Sequence, residues 1–184
     1  MTWPFADRWD RALSYERFVQ ESTEHCGLWT GVYKIARVPA WAREAAAALG
    51  EKFRLVVLAE DWCGDATKSV PVLARWAAQT PNVELRILRR DEHPDIMDQY
   101  LTNGVARSIP VVIVLTEDMQ ELGWWGPRPR ELEAWVKAQR DAGRDKKELY
   151  PDVRRWYARD KGETTLREVL AVMEEVHHTQ GAPS

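Results

Sequence analysis

Between Phe53 and Trp125 the hydrophobic pattern changes period several times. Phe53 to Ala59 (FRLVVLA) is a short continuous apolar run, the mark of a central strand buried on both faces. Asp65 to Ala78 has helical spacing, with Val70, Leu73, Ala74 and Ala77 on one side and Lys68 and Arg75 facing away. Pro71 lies inside that helix, where a proline loses a hydrogen bond at a cost of about 3 kcal/mol in a plain host, so the fold has to tolerate a bend. Val83 to Leu88 (VELRIL) alternates as a strand and is broken by RRDEHP. Asp95 to Leu101 reads as a short helix stopped by Asn103-Gly104. Ser108-Ile109-Pro110 leads into VVIVL, a second strongly apolar strand, and Glu117-Asp118 turns the chain into an edge-like strand, Glu121 to Trp125. The first part implies a parallel βαβ crossover and the last strand pair an antiparallel hairpin.

The flanks are helical in character. Ser14 is placed to cap a helix, Gly27 and Gly31 interrupt it, and AWAREAAAAL after Val38-Pro39 predicts a helix stopped by Gly50. From Pro129, RELEAWVKAQRDAG predicts a helix. A charged DKKELYPD break follows, and a Thr165-x-x-Glu168 capping-box pattern opens LREVLAVMEEVHH. His177 and His178 have no cysteine or carboxylate at ligand spacing and read as a solvated helix end rather than a metal site, with Thr179 to Ser184 a disordered tail.

Composition narrows the classes. A chain of 184 residues, 45% hydrophobic and 30% charged, suits one compact domain, 1–184, with a core near 53–132 and helical extensions at 1–50 and 133–178. A net charge of -3 gives no electrostatic reason to expect nucleic acid or an anionic membrane as partner. No segment approaches the roughly 20 apolar residues of a membrane helix, and the start lacks a signal peptide's apolar stretch, so a cytoplasmic location is expected. Two cysteines, Cys26 and Cys63, are too few for a disulfide scaffold and should be thiols in a reducing compartment. No cofactor or metal motif is present, and the ten tryptophans are scattered as core residues would be.

Cys63 stands between the apolar strand and the helix, in AEDWCGDATK. At a helix start, free N–H groups and the positive end of the dipole stabilise a thiolate, the form that attacks disulfides. Asp61 and Asp65 should raise the thiol pKa, while the dipole and Lys68 should lower it or offset the carboxylate, so the net sign is open. Asp65 has a plain alternative reading as a first-turn acidic residue. Trp124, Trp125 and Arg128 are candidates for a groove beside the site, with core packing expected for at least one tryptophan. Arg107 reads equally as a substrate contact or a surface arginine.

The strand, then Asp61-Trp62-Cys63-Gly64, then a helix with Pro71 eight positions after the cysteine (71 − 63), and Ser108-Ile109-Pro110 before the next apolar strand, together resemble the thioredoxin superfamily, in a branch with a DWCGD motif. The resemblance covers roughly Phe53 to Leu132. It implies a thioredoxin-like α/β fold: a mixed sheet of about four core strands with helices on both faces and extra terminal helices. It also implies Cys63 as nucleophile, Trp62 and Gly64 as its flanks, Pro71 as the helix-kinking proline, and Pro110 as a cis-proline opposite the thiol. The Ile109 backbone would then hold an extended substrate as an added strand, with Asp65 and Ala66 beside the thiol.

Two departures change the expected chemistry. The family's resolving cysteine would fall at Ala66, and the buried acid that deprotonates it would fall at Val57. A chain without the second thiol needs no base for it, so an internal dithiol cycle is unavailable within this motif. The expected activity is therefore a monothiol thiol-disulfide exchange, with a protein disulfide or low-molecular-weight thiol as partner and release by an external thiol. Cys26, in HCGLW, reads as a buried structural thiol, with a resolving role the lesser alternative. A non-redox thioredoxin-fold module binding a protein or peptide in the same groove is the competing expectation, and a peroxide-sensing thiol a weaker third.

Overall fold

The computed structural model describes residues 1–180, with the side chains of Thr179 and Gln180 excepted. Along the chain run α1 (Tyr15–Glu21), α2 (Cys26–Ile35), α3 (Ala40–Ala48), β1 (Phe53–Ala59), α4 (Ala66–Ala78), β2 (Val83–Arg89), α5 (Pro94–Met97), β3 (Val111–Thr116), β4 (Glu121–Trp125), α6 (Arg130–Asp141), α7 (Lys146–Asp160), α8 (Glu163–Glu174) and α9 (Val176–Gln180). The sheet has the order β2-β1-β3-β4, with β1 parallel to β2 and antiparallel to β3, and β3 antiparallel to β4. The parallel crossover and the antiparallel hairpin are those the alternation of patterns predicts, and the mixed four-stranded sheet is the one the resemblance implies. Every β1 residue except Arg54 is buried, in keeping with its continuous apolar run.

Register is what assembles the site. Leu58 of β1 pairs with Val111 of β3, so the chain leaving β1 passes beside Pro110. Ala59 pairs with Arg89 at the end of β2, bringing Glu60 to the Asp91 N–H, which it accepts at 2.9 Å. Val112 pairs with Trp125 of β4, which brings Gly126 against the Pro110 carbonyl.

The two sheet faces are covered by different parts of the chain. Trp125 is buried and donates from its indole to Glu168 Oε2 of α8 (2.6 Å). By strand alternation Trp124 faces the other way, where it meets Tyr100 edge-on. On that side Trp3, from the N-terminal segment, donates to the Tyr100 hydroxyl at 3.0 Å. The terminal segments are built into the sheet layer as well. Leu13 bridges to Ile87 on the outer edge of β2, and Thr2 bridges to Gln120 beside β4. Each bridge covers part of an outer edge that would otherwise invite association.

Several local expectations are corrected. Gly27 and Gly31 do not interrupt a helix; both lie inside α2. Ser14 does cap α1, its hydroxyl accepting from the Arg17 N–H at 3.1 Å. DKKELYPD is no break but the start of α7, whose N-cap Asp145 accepts from the Lys147 N–H at 3.1 Å and which carries Pro151 inside it. Leu149, Val153, Trp156 and Tyr157 recur at helical spacing, and their burial against α6 outweighs the charge of the opening turn. The Thr165 capping box does not form either. α8 starts at Glu163 after Gly162, Thr165 is fully buried, and Glu168 serves Trp125 and the Arg130 N–H. α9 carries helix as far as Gln180, into the stretch expected to be disordered; the rest of that tail, 181–184, lies outside the described residues. Among the described residues no helix is long and apolar enough to cross a membrane.

Candidate active site

Cys63 sits in the turn between β1 and α4, with its side chain directed into the protein. Its exposure is 9%, and Sγ approaches the Ile109 carbonyl oxygen at 3.4 Å. The Ile109–Pro110 peptide bond is cis. The N–H groups of Asp65 and Ala66, at the free end of α4, point at the sulfur and favour the thiolate, as does the nearby Arg128 guanidinium. Burial acts more strongly in the opposite direction, and the Asp65 carboxylate adds to it, so the Cys63 thiol is pushed above its ordinary pKa. The sign left open by the sequence is thus upward, and desolvation decides it.

Asp65 does not stand free beside the thiol. Arg128, arriving just after β4, holds it in a two-pronged pair, Nε to Oδ1 at 2.9 Å and Nη2 to Oδ2 at 2.8 Å. The same guanidinium reaches Glu133 Oε2 of α6 at 2.6 Å, and the Tyr157 hydroxyl of α7 donates to Asp65 Oδ1 at 3.1 Å. Burial and the Asp65 charge keep the Tyr157 phenol protonated far above its usual range. This network ties α6 and α7 over the start of α4. Tyr150 of α7 also lies over Gly64, where a Cβ would stand 4.0 Å from its ring.

The other flank is held by the N-terminal segment. Asp61 is buried and accepts the Thr23 and Glu24 N–H groups at 2.8 and 3.1 Å. Burial raises the pKa of its carboxyl, but these donors outweigh that and hold it below the usual range. The Asp61 carbonyl accepts from the buried Trp29 indole at 3.0 Å. Asp61 therefore acts as a clasp for the residues before α2. Trp62 is 46% exposed, with the Arg90 guanidinium over its ring at 5.0 Å. Ala66 and Ile109 are buried, and Pro71 is buried within α4. Lys68 is turned to a different cleft from the thiol and has no pairing with Asp65. Arg107 pairs with Asp98 on the surface. Beside the site a cleft of about 390 Å³ runs between residues 102–108 and α6, with Ser108 and Arg128 in its wall.

Cys26 is the clearest correction among the candidate residues. It is exposed at the start of α2, its Sγ donating to the Ser22 carbonyl at 3.2 Å, so it is not a buried structural thiol. Tyr150, Tyr157 and Glu133 are contributed by the C-terminal helices and were not singled out from the sequence. The spacing of Leu149, Val153 and Tyr157 was the available signal. Among the described residues no group of three or more histidine, cysteine, aspartate or glutamate side chains is placed to hold a metal.

Comparison with known proteins agrees with this architecture. The crystal structure of PA1234, a protein of unknown function from Pseudomonas aeruginosa, is similar with a TM-score of 0.73 and 24% identity, covering 94% of this chain and 98% of that one. An HIV epitope-scaffold is similar with a TM-score of 0.69 and 23% identity, covering 92% and 97%. Identities this low speak for the fold alone. No curated protein matches the chain. A family model described as thioredoxin matches residues 12–144, which takes in the sheet, the cysteine turn and the Pro110 segment. The chain belongs to the thioredoxin-like family.

Proposed function

We propose that the protein is a monothiol thiol-disulfide exchange factor acting through Cys63. The observation that carries this reading is the placement of Sγ at the free N–H groups of α4 and across from the Ile109 carbonyl and Pro110. In the first step the Cys63 thiol gives its proton to solvent and the thiolate attacks one sulfur of a disulfide. A Cys63–substrate disulfide forms and the other sulfur leaves as a thiolate. With Ala66 in place of a second cysteine, a low-molecular-weight thiol of a reducing compartment attacks the mixed disulfide and regenerates Cys63. Trp62 and Gly64 flank the approaching chain, and the Ile109 backbone offers it hydrogen bonds. The raised thiol pKa makes the exchange slow at neutral pH and faster as pH rises, unless a substrate displaces the α7 tyrosines and rehydrates the sulfur.

The same burial favours a second reading, a thioredoxin-fold module that binds a peptide in the cleft beside Pro110 without chemistry. The test is to incubate the protein with oxidised glutathione across pH 7 to 9.5 and locate the adduct by mass spectrometry. Adduct at Cys63, reversed by reduced glutathione, unaffected by Cys26→Ser and increasing with pH, is expected. Adduct confined to Cys26, or an unreactive Cys63 at every pH, overturns the exchange reading and leaves the binding one.

A further inference from the structure

On the far side of Tyr157 from the thiol lies a cleft of about 440 Å³ between α2, α4 and α7, within the size range of small-molecule sites. Three helices contribute to it at helical spacing. Val32, Ile35 and Ala36 come from α2 and its end, Lys68 and Val72 from α4, and Arg154, Tyr157, Ala158 and Lys161 from α7 and its end. The floor is aliphatic, and Ile35 leaves 75% of its surface exposed at the mouth, an arrangement expected where an apolar body is to be covered.

The charge around this floor is of one sign. Arg37, Lys68, Arg154 and Lys161 all line the cleft and no carboxylate does. Among the described residues none of these cations has an ion-pair partner. Arg128, by contrast, is paired with Asp65 and Glu133, and Arg107 with Asp98. Burial disfavours the charged form of Lys68, and repulsion from Arg154 adds to that, so the cleft bears an electrostatic cost that an anion would relieve. Tyr157 walls the cleft toward the thiol, its hydroxyl already given to Asp65, so it offers a ring and no free donor.

We infer that the α2–α4–α7 cleft binds a small amphipathic organic anion, its apolar body against Val32, Val72 and Ala158 and its acidic head among Lys68, Arg154 and Lys161. The site is separate from the exchange chemistry and stands whether or not Cys63 is redox-active.

Calorimetric titration of the full chain with decanoate, decanol and inorganic phosphate tests this, with methyl NMR to locate the bound ligand. Decanoate should bind and shift the Val32, Val72 and Ala158 methyl resonances, with decanol and phosphate each at least about tenfold weaker. The double variant Lys68→Met with Arg154→Met should weaken decanoate binding by about tenfold or more while leaving the melting temperature near that of the parent. Ala158→Trp, which fills the cleft, should abolish it. No decanoate binding, equal binding of decanol or of phosphate, methyl shifts elsewhere, or undiminished affinity in the charge variant would each overturn the assignment.

Discussion

Gly126→Ala probes the contact that sets Pro110 against the thiol turn. Gly126 has φ of +132°, and a Cβ there would lie 2.1 Å from the Pro110 carbonyl oxygen, 3.1 Å from its carbonyl carbon and 3.3 Å from Val111 Cα. All three are backbone atoms at the start of a central strand, so no side-chain rotation relieves the overlap. Holding a non-glycine residue in this backbone region costs about 1–3 kcal/mol. Displacing the Pro110 segment adds a repacking cost of about 1–3 kcal/mol. The sum, about 2–6 kcal/mol, is a large share of the roughly 5–15 kcal/mol by which a domain is stable. The matched control is Gly31→Ala inside α2, where a Cβ meets nothing within 4 Å. That change should stabilise by about 0.5–1 kcal/mol, because glycine is the poorer residue in a helix interior. Urea unfolding of the two variants beside the parent gives both signs in one experiment. Cys63 alkylation should accelerate in Gly126→Ala as Pro110 moves off the sulfur. A loss below about 1 kcal/mol, within the range of ordinary surface changes, would refute the account of how Pro110 is positioned.

Asp65→Asn removes a charge that raises the Cys63 pKa and leaves Arg128 near the sulfur, so Cys63 alkylation at pH 7 should become several-fold faster; an unchanged or slower rate contradicts the electrostatic assignment. Asp61→Ala removes the acceptor of two charge-assisted hydrogen bonds, from the Thr23 and Glu24 N–H groups, and at roughly 1.5–3 kcal/mol each should cost about 3–6 kcal/mol, with faster hydrogen exchange at 23 and 24 as its local signature. Because the folded Asp61 pKa is depressed, that contribution is present above the unfolded value of about 3.9 and lost as pH falls through the folded one, so parent and variant should converge in stability in acid. For Cys63 the sign is reversed. Its thiol form is favoured in the fold, so this stability is present below the unfolded pKa of about 8.5 and declines as pH rises through the folded value. Cys63→Ser should flatten the unfolding curve between pH 8 and about 10, where tyrosines begin to contribute; a parallel decline in both proteins would show that the thiol is not the group responsible. At pH 7 iodoacetamide should modify the exposed Cys26 before the buried Cys63, as peptide mapping over time would show.

What the sequence determined by itself was local and periodic. The apolar runs FRLVVLA and VVIVL read as central strands, since they are short, β-branched and apolar at successive positions, as a strand with both faces dry requires. The tight turn at Glu117-Asp118 forces an antiparallel partner for the second of them, and the helix after Cys63 forces a parallel one for the first. A cysteine at a helix start, with no second cysteine three positions on, was legible for the same reason. Tertiary structure decided what local pattern does not encode. Whether Asp65 tunes the thiol or is neutralised depends on Arg128, Glu133 and Tyr157, which the chain delivers from 63, 68 and 92 residues away (128 − 65, 133 − 65, 157 − 65). The exposure of Cys26 depends on the Asp61 clasp that holds the segment before α2. The direction of the Cys63 pKa shift depends on how completely that packing removes water from the sulfur. Desolvation is a property of everything that surrounds an atom, and most of what surrounds this one is distant in the chain.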